Sequence, residues 1–561
     1  MAEVITETIL PGTYIEVRPE GLLSIGAIST GNVGILGTAE KGSDRIQILS
    51  SYDDAVAYYG EPGSWDNSDP AGNLTLVRAL KYIFDNGALT VYAQRVFDPG
   101  KAKAATFTLT SEGSASLRLK ARTPGEWGNR LQILVEDADT PQELIQDEPV
   151  MRENGSFVLS ATKLPQLAEG ASLGKVLVED AGLVNRFQLR SAPAGASVVG
   201  IDPNNRTLTF AAAPSASAVI RASYLVPQAG LRKITLRFGN VREVFLVPSL
   251  YYFAKLLDQD ANASRLVEID RSGDAGLPGV RSLLPTKPER PTAFQGGENG
   301  EADAGLYQVG LDNFLAQDVQ LLFVGRPFKD VKAAVLGHLE KTENLGRERI
   351  AVLGADSSEP EKILENANDV ADKRLVLVAP GLSETDPDTG QVSHLPPLFA
   401  AAAVTGKLSS LSPHVSPTNK TLAGVESLEE DLNYGEMKAL VQNRVLALQR
   451  KRGIRVVKGI STDDGAFQQI TTRRIVDYVK EGTRIGANQY IGKLNNRRVR
   501  ENLRTTLDRF LADLLLREFL VGYKLDVTAD RAMEIRGEVL VKMDIQPTFS
   551  IDVVRVIMTL S

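Results

Sequence analysis

Three short apolar runs alternate with helical stretches between residues 300 and 410, and this alternation constrains the fold more than any other feature of the chain. The runs are Val319–Val324, Ile350–Leu353 and Leu375–Ala379. Near-continuous apolar runs of this length are typical of strands that are buried on both faces. Helical patterns occupy the intervals near 328–342, 358–371 and 396–406. The segment is therefore predicted to form a doubly wound, mostly parallel sheet with helices on its faces.

The composition is that of a large globular protein and excludes several classes of site. The 561 residues are 43% hydrophobic and 24% charged, which suits about four domains at ~150 residues each. The net charge of −7 disfavours a whole-chain role on nucleic acid or an anionic membrane. Cysteine is absent, which excludes disulfides and thiolate chemistry, and the three histidines, His338, His394 and His414, lack ligand spacing.

The ends of the chain give expectations about compartment. Met1–Val4 opens without a basic region followed by an apolar stretch, and no run of 18 apolar residues occurs. We therefore expect neither a signal peptide nor a membrane span. Assembly in a bacterial cytoplasm is the predicted location.

Changes in rhythm along the chain predict an α+β and α/β multidomain protein. Strand-like alternation appears at Leu117–Lys120 and Ile234–Phe238, and the Ala/Ser/Gly-rich interval between them carries turn signals such as Asp202–Asn205. The predicted segments are an extended N-terminal arm, 1–20; the first part of the core, 21–100; a β-rich domain, 101–136 with 231–298; an inserted, β-sandwich-like surface domain, 137–230; a mixed-sheet α/β domain, 299–425; a C-terminal α+β domain, 426–548; and a terminal strand, 549–561.

Individual elements are predicted near both ends of the chain. A helix is expected over Asn73–Asn86 and a strand over Leu89–Val96. Helix 500–519 has an apolar stripe at spacings of four and three residues, and strand 538–545 alternates. A last strand, Phe549–Leu560, is apolar and β-prone, so it would be an aggregation-prone edge unless another strand pairs with it.

Motifs for catalysis are weak throughout. Gly31–Gly37 reads GxxGxxG, not the GxGxxG of dinucleotide loops, and its glycines are interpreted as turn and packing positions. Gly170–Gly174 reads GxSxG but leads into a strand-like run, whereas a nucleophile elbow opens a helix. Gly-Lys pairs lack the rest of a phosphate loop. The sequence predicts no catalytic residue, no metal site and no cofactor.

Positive charge is concentrated in one region. Residues 441–520 hold 17 Lys and Arg against 8 Asp and Glu. This asymmetry indicates an acidic partner, and the scarcity of interleaved aromatic residues disfavours nucleic acid. The candidate contact residues are Lys493, Arg497, Arg498, Arg500 and Arg504.

Four short motifs, in order along the chain, resemble those of phage-type contractile tail sheath proteins. They are Pro11–Glu16 (PGTYIE), Pro124–Asn129 (PGEWGN), Gly296–Gly300 (GGENG) and Tyr490–Asn496 (YIGKLNN). In the second motif the matching residues are Pro124, Gly125, Trp127, Gly128 and Asn129. Thr13 stands where the family usually has Val, and the 137–230 insertion has no place in the common core.

The resemblance implies a structural subunit and not an enzyme. Such subunits form hexameric rings stacked helically around an inner tube, and they contract to drive the tube through a target envelope. Their α/β region is often labelled subtilisin-like. The implied partners are other copies of the chain, an inner-tube protein that would face the basic residues, and baseplate and tail-terminator or cap proteins, with no nucleic acid and no direct membrane insertion.

Two β-prone termini are suited to strand addition between copies. The residues expected in such inter-subunit strands are Tyr14, Ile15, Val17, Ile551, Val553, Val554, Val556 and Met558. The sequence alone leaves open an α/β enzyme with β-rich accessory domains, or a surface adhesin. It also leaves open whether the machine is a phage tail, a tailocin or another injection system.

Overall fold

The computed structural model divides the described part of the chain into two compact units. It describes residues 28–67, 73–111, 116–153, 155–166, 170–191, 194–259, 263–271, 283–288, 290–385 and 392–559. The described residues of the first unit are those up to Ala39, those within Asp44–Val96 and those from Ala302 onward. The second comprises Glu40–Ser43 and Phe97–Glu301.

The helices and strands of the described residues are numbered in chain order. The strands are β1 Val33–Gly37, β2 Gln47–Leu49, β3 Val91–Arg95, β4 Thr106–Thr110, β5 Ser116–Ala121, β6 Gln132–Asp137, β7 Gln142–Pro149, β8 Met151–Glu153, β9 Ser156–Val158, β10 Ser172–Asp180, β11 Leu183–Arg190, β12 Val198–Ile201, β13 Thr207–Thr209, β14 Val219–Pro227, β15 Arg232–Phe238, β16 Val241–Val247, β17 Val267–Ile269, β18 Thr292–Ala293, β19 Leu321–Val324, β20 Ile350–Gly354, β21 Leu375–Ala379, β22 Leu382–Thr385, β23 Val392–Leu395, β24 Ser427–Leu428, β25 Leu446–Arg450, β26 Ile454–Val456, β27 Leu520–Thr528 and β28 Leu540–Pro547. The α-helices are α1 Tyr52–Tyr59, α2 Leu76–Asp85, α3 Leu250–Gln259, α4 Ala304–Asn313, α5 Phe328–Asn344, α6 Pro360–Asn368, α7 Pro397–Ser410, α8 Tyr434–Gln442, α9 Ile470–Asn488, α10 Arg497–Leu516 and α11 Arg531–Arg536. Two 3₁₀ turns occupy Glu126–Arg130 and Gln228–Gly230.

The first unit is built on an eight-stranded mixed sheet in the order β2-β3-β1-β19-β20-β21-β25-β26. The six inner strands run parallel, and β2 and β26 pair antiparallel at the two edges. The doubly wound sheet predicted for residues 300–410 is confirmed in β19, β20 and β21. Sequence reasoning missed that β1, the glycine-rich segment, is an inner strand beside β19.

Successive residues of the buried strands face opposite layers of helices. Phe323 belongs to the cluster that includes α2 and α7, whereas Leu322 belongs to the cluster that includes α4, α5 and α6. Both side chains are fully buried. A helix layer on each face explains why these strands read as continuous apolar runs.

The described residues of the second unit form three β-sheets. Strands β5 and β17 pair in a three-stranded sheet, and β6 pairs with β15 in a four-stranded sheet. The chain leaves β6 at Asp137, forms an eight-stranded sheet, and returns at Arg232. Entry and exit therefore lie on neighbouring strands.

The sandwich-like prediction for residues 137–230 is wrong in one respect. All eight strands form one sheet, in the order β7-β14-β10-β11-β12-β13-β9-β8. The parallel pairing of β11 with β12 joins two antiparallel groups edge to edge, so they do not form two separate sheets.

The elements predicted near the C-terminus differ in extent from those observed. The helix predicted over 500–519 is α10, and the strand predicted over 538–545 is β28, which pairs with β27. The strand predicted over Phe549–Leu560 does not form within the single chain, since residues 549–559 have no strand pairing. The helix and strand predicted after Asn73 are confirmed as α2 and β3.

Candidate assembly surfaces

The PGEWGN and GGENG segments are hydrogen-bonded to each other in the second unit. Asn129 Nδ2 donates to the carbonyl oxygen of Gly297 at 2.9 Å, and Asn129 Oδ1 accepts from Gly297 N at 2.8 Å. Asn299 Oδ1 accepts from Glu126 N at 3.0 Å. Two motifs that are far apart in sequence are thus held together by three hydrogen bonds beside β6.

Packing explains the other residues of the PGEWGN segment. Trp127 is 2% exposed, and its Nε1 donates to Thr123 O at 3.1 Å. Gly125, which follows Pro124, has φ of +143°, and a Cβ there would lie 2.2 Å from a backbone oxygen of Glu40. A larger residue at Gly125 would clash. This motif therefore acts as a folding element and is not an exposed contact surface.

Strands β27 and β28 form an antiparallel hairpin that constitutes a sheet by itself. Its pairs include Leu525 opposite Met543 and Tyr523 opposite Ile545. These four side chains pack against a buried cluster contributed by α9 and α10. Among the described residues neither outer edge of the hairpin has a partner strand. Because two-stranded sheets are marginally stable, such a hairpin is suited to accept further strands.

The C-terminal segment that follows the hairpin exposes apolar side chains. The five predicted strand residues are between 73% and 86% exposed, namely Ile551, Val553, Val554, Val556 and Met558. Apolar exposure on this scale is typical of a surface that another protein covers. The N-terminal candidates Tyr14, Ile15 and Val17 lie outside the described residues.

The five basic candidates have different environments at the start of α10. Lys493, Arg497 and Arg498 are exposed. Arg500 is 16% exposed, and its Nη1 lies 2.9 Å from Glu534 Oε1 of α11. The side chain of Arg504 is 55% exposed and lies 3.6 Å from Glu501. Lys493, Arg497 and Arg498 are therefore each exposed to solvent, whereas Arg500 already has a carboxylate partner.

An ion-pair network centred on the buried Arg374 connects α9 to the large sheet, and sequence reasoning missed it. The Arg374 side chain, 2% exposed, contacts Asp477 with both Nη atoms, at 2.8 Å and 3.0 Å. Its Nη2 also lies 3.1 Å from Glu343 Oε1. The hydrogen bond from Arg374 lowers the pKa of Glu343 to about 2. Arg473, one turn before Asp477, donates to the same carboxylate at 2.6 Å.

Comparisons with known proteins agree on one family. Residues 462–560 match the model of the phage tail sheath C-terminal domain. A tail sheath protein of Bacillus phage SP01 is 27% identical over 242 residues, which is 41% of this chain and 42% of that protein. A tail sheath protein of Mycobacterium phage Bxz1 is 25% identical over 207 residues, which is 34% of this chain and 36% of that protein.

The chain is therefore similar to tail sheath proteins. The aligned stretches span less than half the length of these two curated relatives. The structure also resembles the crystal structure of the sheath tail protein of Desulfitobacterium hafniense, with a TM-score of 0.57 at 12% sequence identity. The alignment covers 96% of this chain and 100% of that protein, which indicates a shared fold.

The matched sheath domain contains the two surfaces described above. It begins just before α9 and includes α10, the β27–β28 hairpin and the exposed C-terminal segment. The Arg374 network therefore joins the α/β sheet to the sheath C-terminal domain within one compact unit.

The weak catalytic motifs have structural explanations in the fold. Ser172 begins strand β10 and does not open a helix. Gly34 lies in β1, where an added Cβ would come within 3.0 Å of Phe314 and Val319. Ser383 Oγ lies 3.3 Å from His394 Nδ1, but Ser383 is only 7% exposed. No cluster of metal-ligating residues occurs among the described residues, and within them no helix is long and apolar enough to cross a membrane.

Proposed function

We propose that the chain is the sheath subunit of a contractile tail-like injection machine. It polymerises as stacked hexameric rings around an inner tube and contracts to drive that tube through a target envelope. The observation that carries the proposal is that one chain contains both a candidate donor strand and a candidate acceptor sheet. The donor is the exposed apolar segment 553–559, and the acceptor is the open-edged β27–β28 hairpin.

Length and side-chain pattern support strand addition between copies. The acceptor strand β27 has nine residues, and the seven residues of the donor segment could pair along most of it. In an extended strand Val554, Val556 and Met558 would share one face. That face would continue the apolar face of Tyr523, Leu525, Met543 and Ile545.

Trans pairing also supplies a link that can survive contraction. A six-residue added strand contributes on the order of six hydrogen bonds, each worth about 1 kcal/mol before ordering costs. Subunits could then rotate as rigid bodies while the exchanged strands stay paired. The buried Arg374 network supports such movement, because it holds α9 firmly against the sheet.

We infer that the inner tube faces the start of α10. Lys493, Arg497 and Arg498 are exposed at and just before the start of α10, and an acidic tube surface would complement them. Baseplate and terminator or cap proteins would bind the two ends of the polymer, and assembly would take place in the cytoplasm of a bacterial host.

Electron microscopy of the purified chain tests this function. We expect negatively stained samples to show hollow helical tubes built of six-fold rings. A folded chain that stays monomeric at high concentration, with and without a tube protein, would overturn the proposal.

A further inference from the structure

The C-terminal segment is tethered to its own subunit at two points before it becomes free. The first is Thr548, whose N donates to Phe519 O at 3.1 Å and whose hydroxyl donates to Glu518 O at 2.7 Å. These bonds close the base of the β27–β28 hairpin. The second is Asp552, four residues further on.

Asp552 differs from both of its neighbours in burial. Its side chain is 16% exposed, whereas Ile551 is 82% and Val553 is 74% exposed. Its Oδ2 lies 3.6 Å from Lys458 Nζ and 3.4 Å from Gln469 Nε2. Its Oδ1 accepts from Thr418 Oγ1 at 3.5 Å and from Ser550 Oγ at 3.2 Å.

The groups that receive Asp552 are themselves held in place. The Thr418 hydroxyl accepts from Gly459 N at 3.0 Å and from Ser416 Oγ at 2.9 Å. Gln469 is the N-cap residue of α9, so the carboxylate lies close to the positive end of a 19-residue helix. A negative side chain is favoured there both by Lys458 and by the helix.

We propose that Asp552 is a positioning residue that fixes the point where the donor strand leaves its own subunit, so that only residues 553–559 reach a second copy of the chain. This inference rests on the proposed function, because it assigns a role to one residue in strand exchange. Seven extended residues span at most about 25 Å. The acceptor hairpin of the neighbouring subunit must therefore begin within that distance of Asp552.

A rigid starting point has a consequence for assembly. A donor strand that starts from a fixed place and direction loses less conformational freedom when it pairs than a strand on a loose tether. Removal of the Asp552 carboxylate would leave the donor sequence intact and yet lower the yield of tubes.

Spin labelling tests the tether independently of assembly. The chain has no cysteine, so Ile551→Cys and Val556→Cys each provide a unique labelling site. In the monomeric fraction we expect a slow-motion spectrum at residue 551 and a fast one at residue 556. Asp552→Ala should convert the spectrum at residue 551 to the fast form. Glu361→Ala, which removes an exposed carboxylate on α6, should leave it slow.

Charge exchange provides a second check. Asp552→Lys combined with Lys458→Asp should restore part of the slow component, whereas either change alone should not. Equal mobility at residues 551 and 556 in the unmodified chain, or a spectrum at 551 that Asp552→Ala leaves slow, would overturn the tether. If the spectra behave as expected but the unmodified chain forms no tubes, the tether stands and the proposed function fails.

Discussion

Asn129 and Gly297 exchange two hydrogen bonds through one side-chain amide, although 168 residues separate them in sequence. The amide can both donate to and accept from the same backbone residue because its NH2 group and its carbonyl oxygen are separate atoms held side by side. These hydrogen bonds join the segment just before β6 to the GGENG segment, next to the buried Trp127.

The first prediction concerns this amide. Asn129→Ala leaves a partly buried N–H and C=O of Gly297 without their partner, which should cost about 2–4 kcal/mol in the free energy of unfolding. Urea unfolding followed by tryptophan fluorescence in a Trp65→Phe background, where Trp127 is the remaining tryptophan, measures it. Asn129→Asp keeps the acceptor but not the donor, so an intermediate loss is expected. Asn240→Ala, at an exposed turn of the same unit, is the matched control and should change stability by less than about 0.5 kcal/mol.

A second prediction is that the stability of the eight-stranded sheet formed by β7 to β14 depends on pH. Glu148 in β7 is fully buried beside the Tyr224 hydroxyl, and its Oε1 accepts from Ser160 N at 3.1 Å. Burial raises the pKa of Glu148 to about 7 from an ordinary value of 4.5. The folded state therefore binds the proton more tightly than the unfolded state does. The stabilisation that protonated Glu148 contributes is fully present below pH 4.5 and is lost as the pH rises through 7.

The pKa shift of Glu148 corresponds to a decrease of roughly 3 kcal/mol in the free energy of unfolding as the pH rises from below 4.5 to above 7. Hydrogen exchange of β10 and β14 amides, corrected for intrinsic rates, should show this decline between pH 5 and 8. Glu148→Gln, which carries no titrating proton, should flatten it. An equal decline in Glu148→Gln would mean that another group is responsible.

Loss of the Arg374 guanidinium is the third prediction. Arg374→Met leaves Asp477 and Glu343 close together with one partner fewer, and removing one member of a buried ion pair typically costs 3–5 kcal/mol. The loss should appear in urea unfolding followed by helical circular dichroism. Arg536→Ala removes an exposed ion pair with Glu538 and should cost at most about 1 kcal/mol. Similar costs for the two variants would contradict a supporting role for Arg374.

The parallel sheet was predictable because its strands are buried on both faces. The apolar runs Val319–Val324 and Leu375–Ala379 lack the regularly spaced polar positions of an amphipathic helix or a half-buried strand. Each run is followed by a helical pattern. The glycine-rich β1 was missed, because Gly31–Gly37 also fits a turn. Only the packing of Phe314 against Gly34 shows why a strand there requires glycine.

Contacts between distant residues could not be read from local patterns. The regional excess of positive charge predicts Arg497, Arg500 and Arg504 as contacts of one acidic partner, but Arg500 pairs with Glu534, which follows β27 in sequence. In the same way, nothing local distinguishes Arg374 or Asp552 from an ordinary surface charge. Their roles depend on partners that only the tertiary fold brings within reach.

A fourth prediction separates the exposed basic residues from Arg500. Arg497→Glu with Arg498→Glu should abolish the co-assembly of extended sheaths on an acidic tube, while the monomer keeps its stability. Arg500→Glu should instead lower stability, because it places a second carboxylate beside Glu534. Lys362→Glu on α6 is the exposed control. Normal tube-bound sheaths from the double variant, observed by electron microscopy, would contradict this tube surface.

Strand exchange at the C-terminus is tested most directly by proline substitution in the free part of the segment. Successive N–H groups of a strand point to opposite edges, so in Val553→Pro/Val556→Pro one proline must lie on the paired edge, where it removes a donor. The matched Val553→Thr/Val556→Thr variant keeps every N–H and a β-branched side chain. Quantitative negative-stain microscopy should show tubes for the threonine variant and only folded monomers, with unchanged circular dichroism, for the proline variant. Tubes of normal length and number from the proline variant would contradict the account.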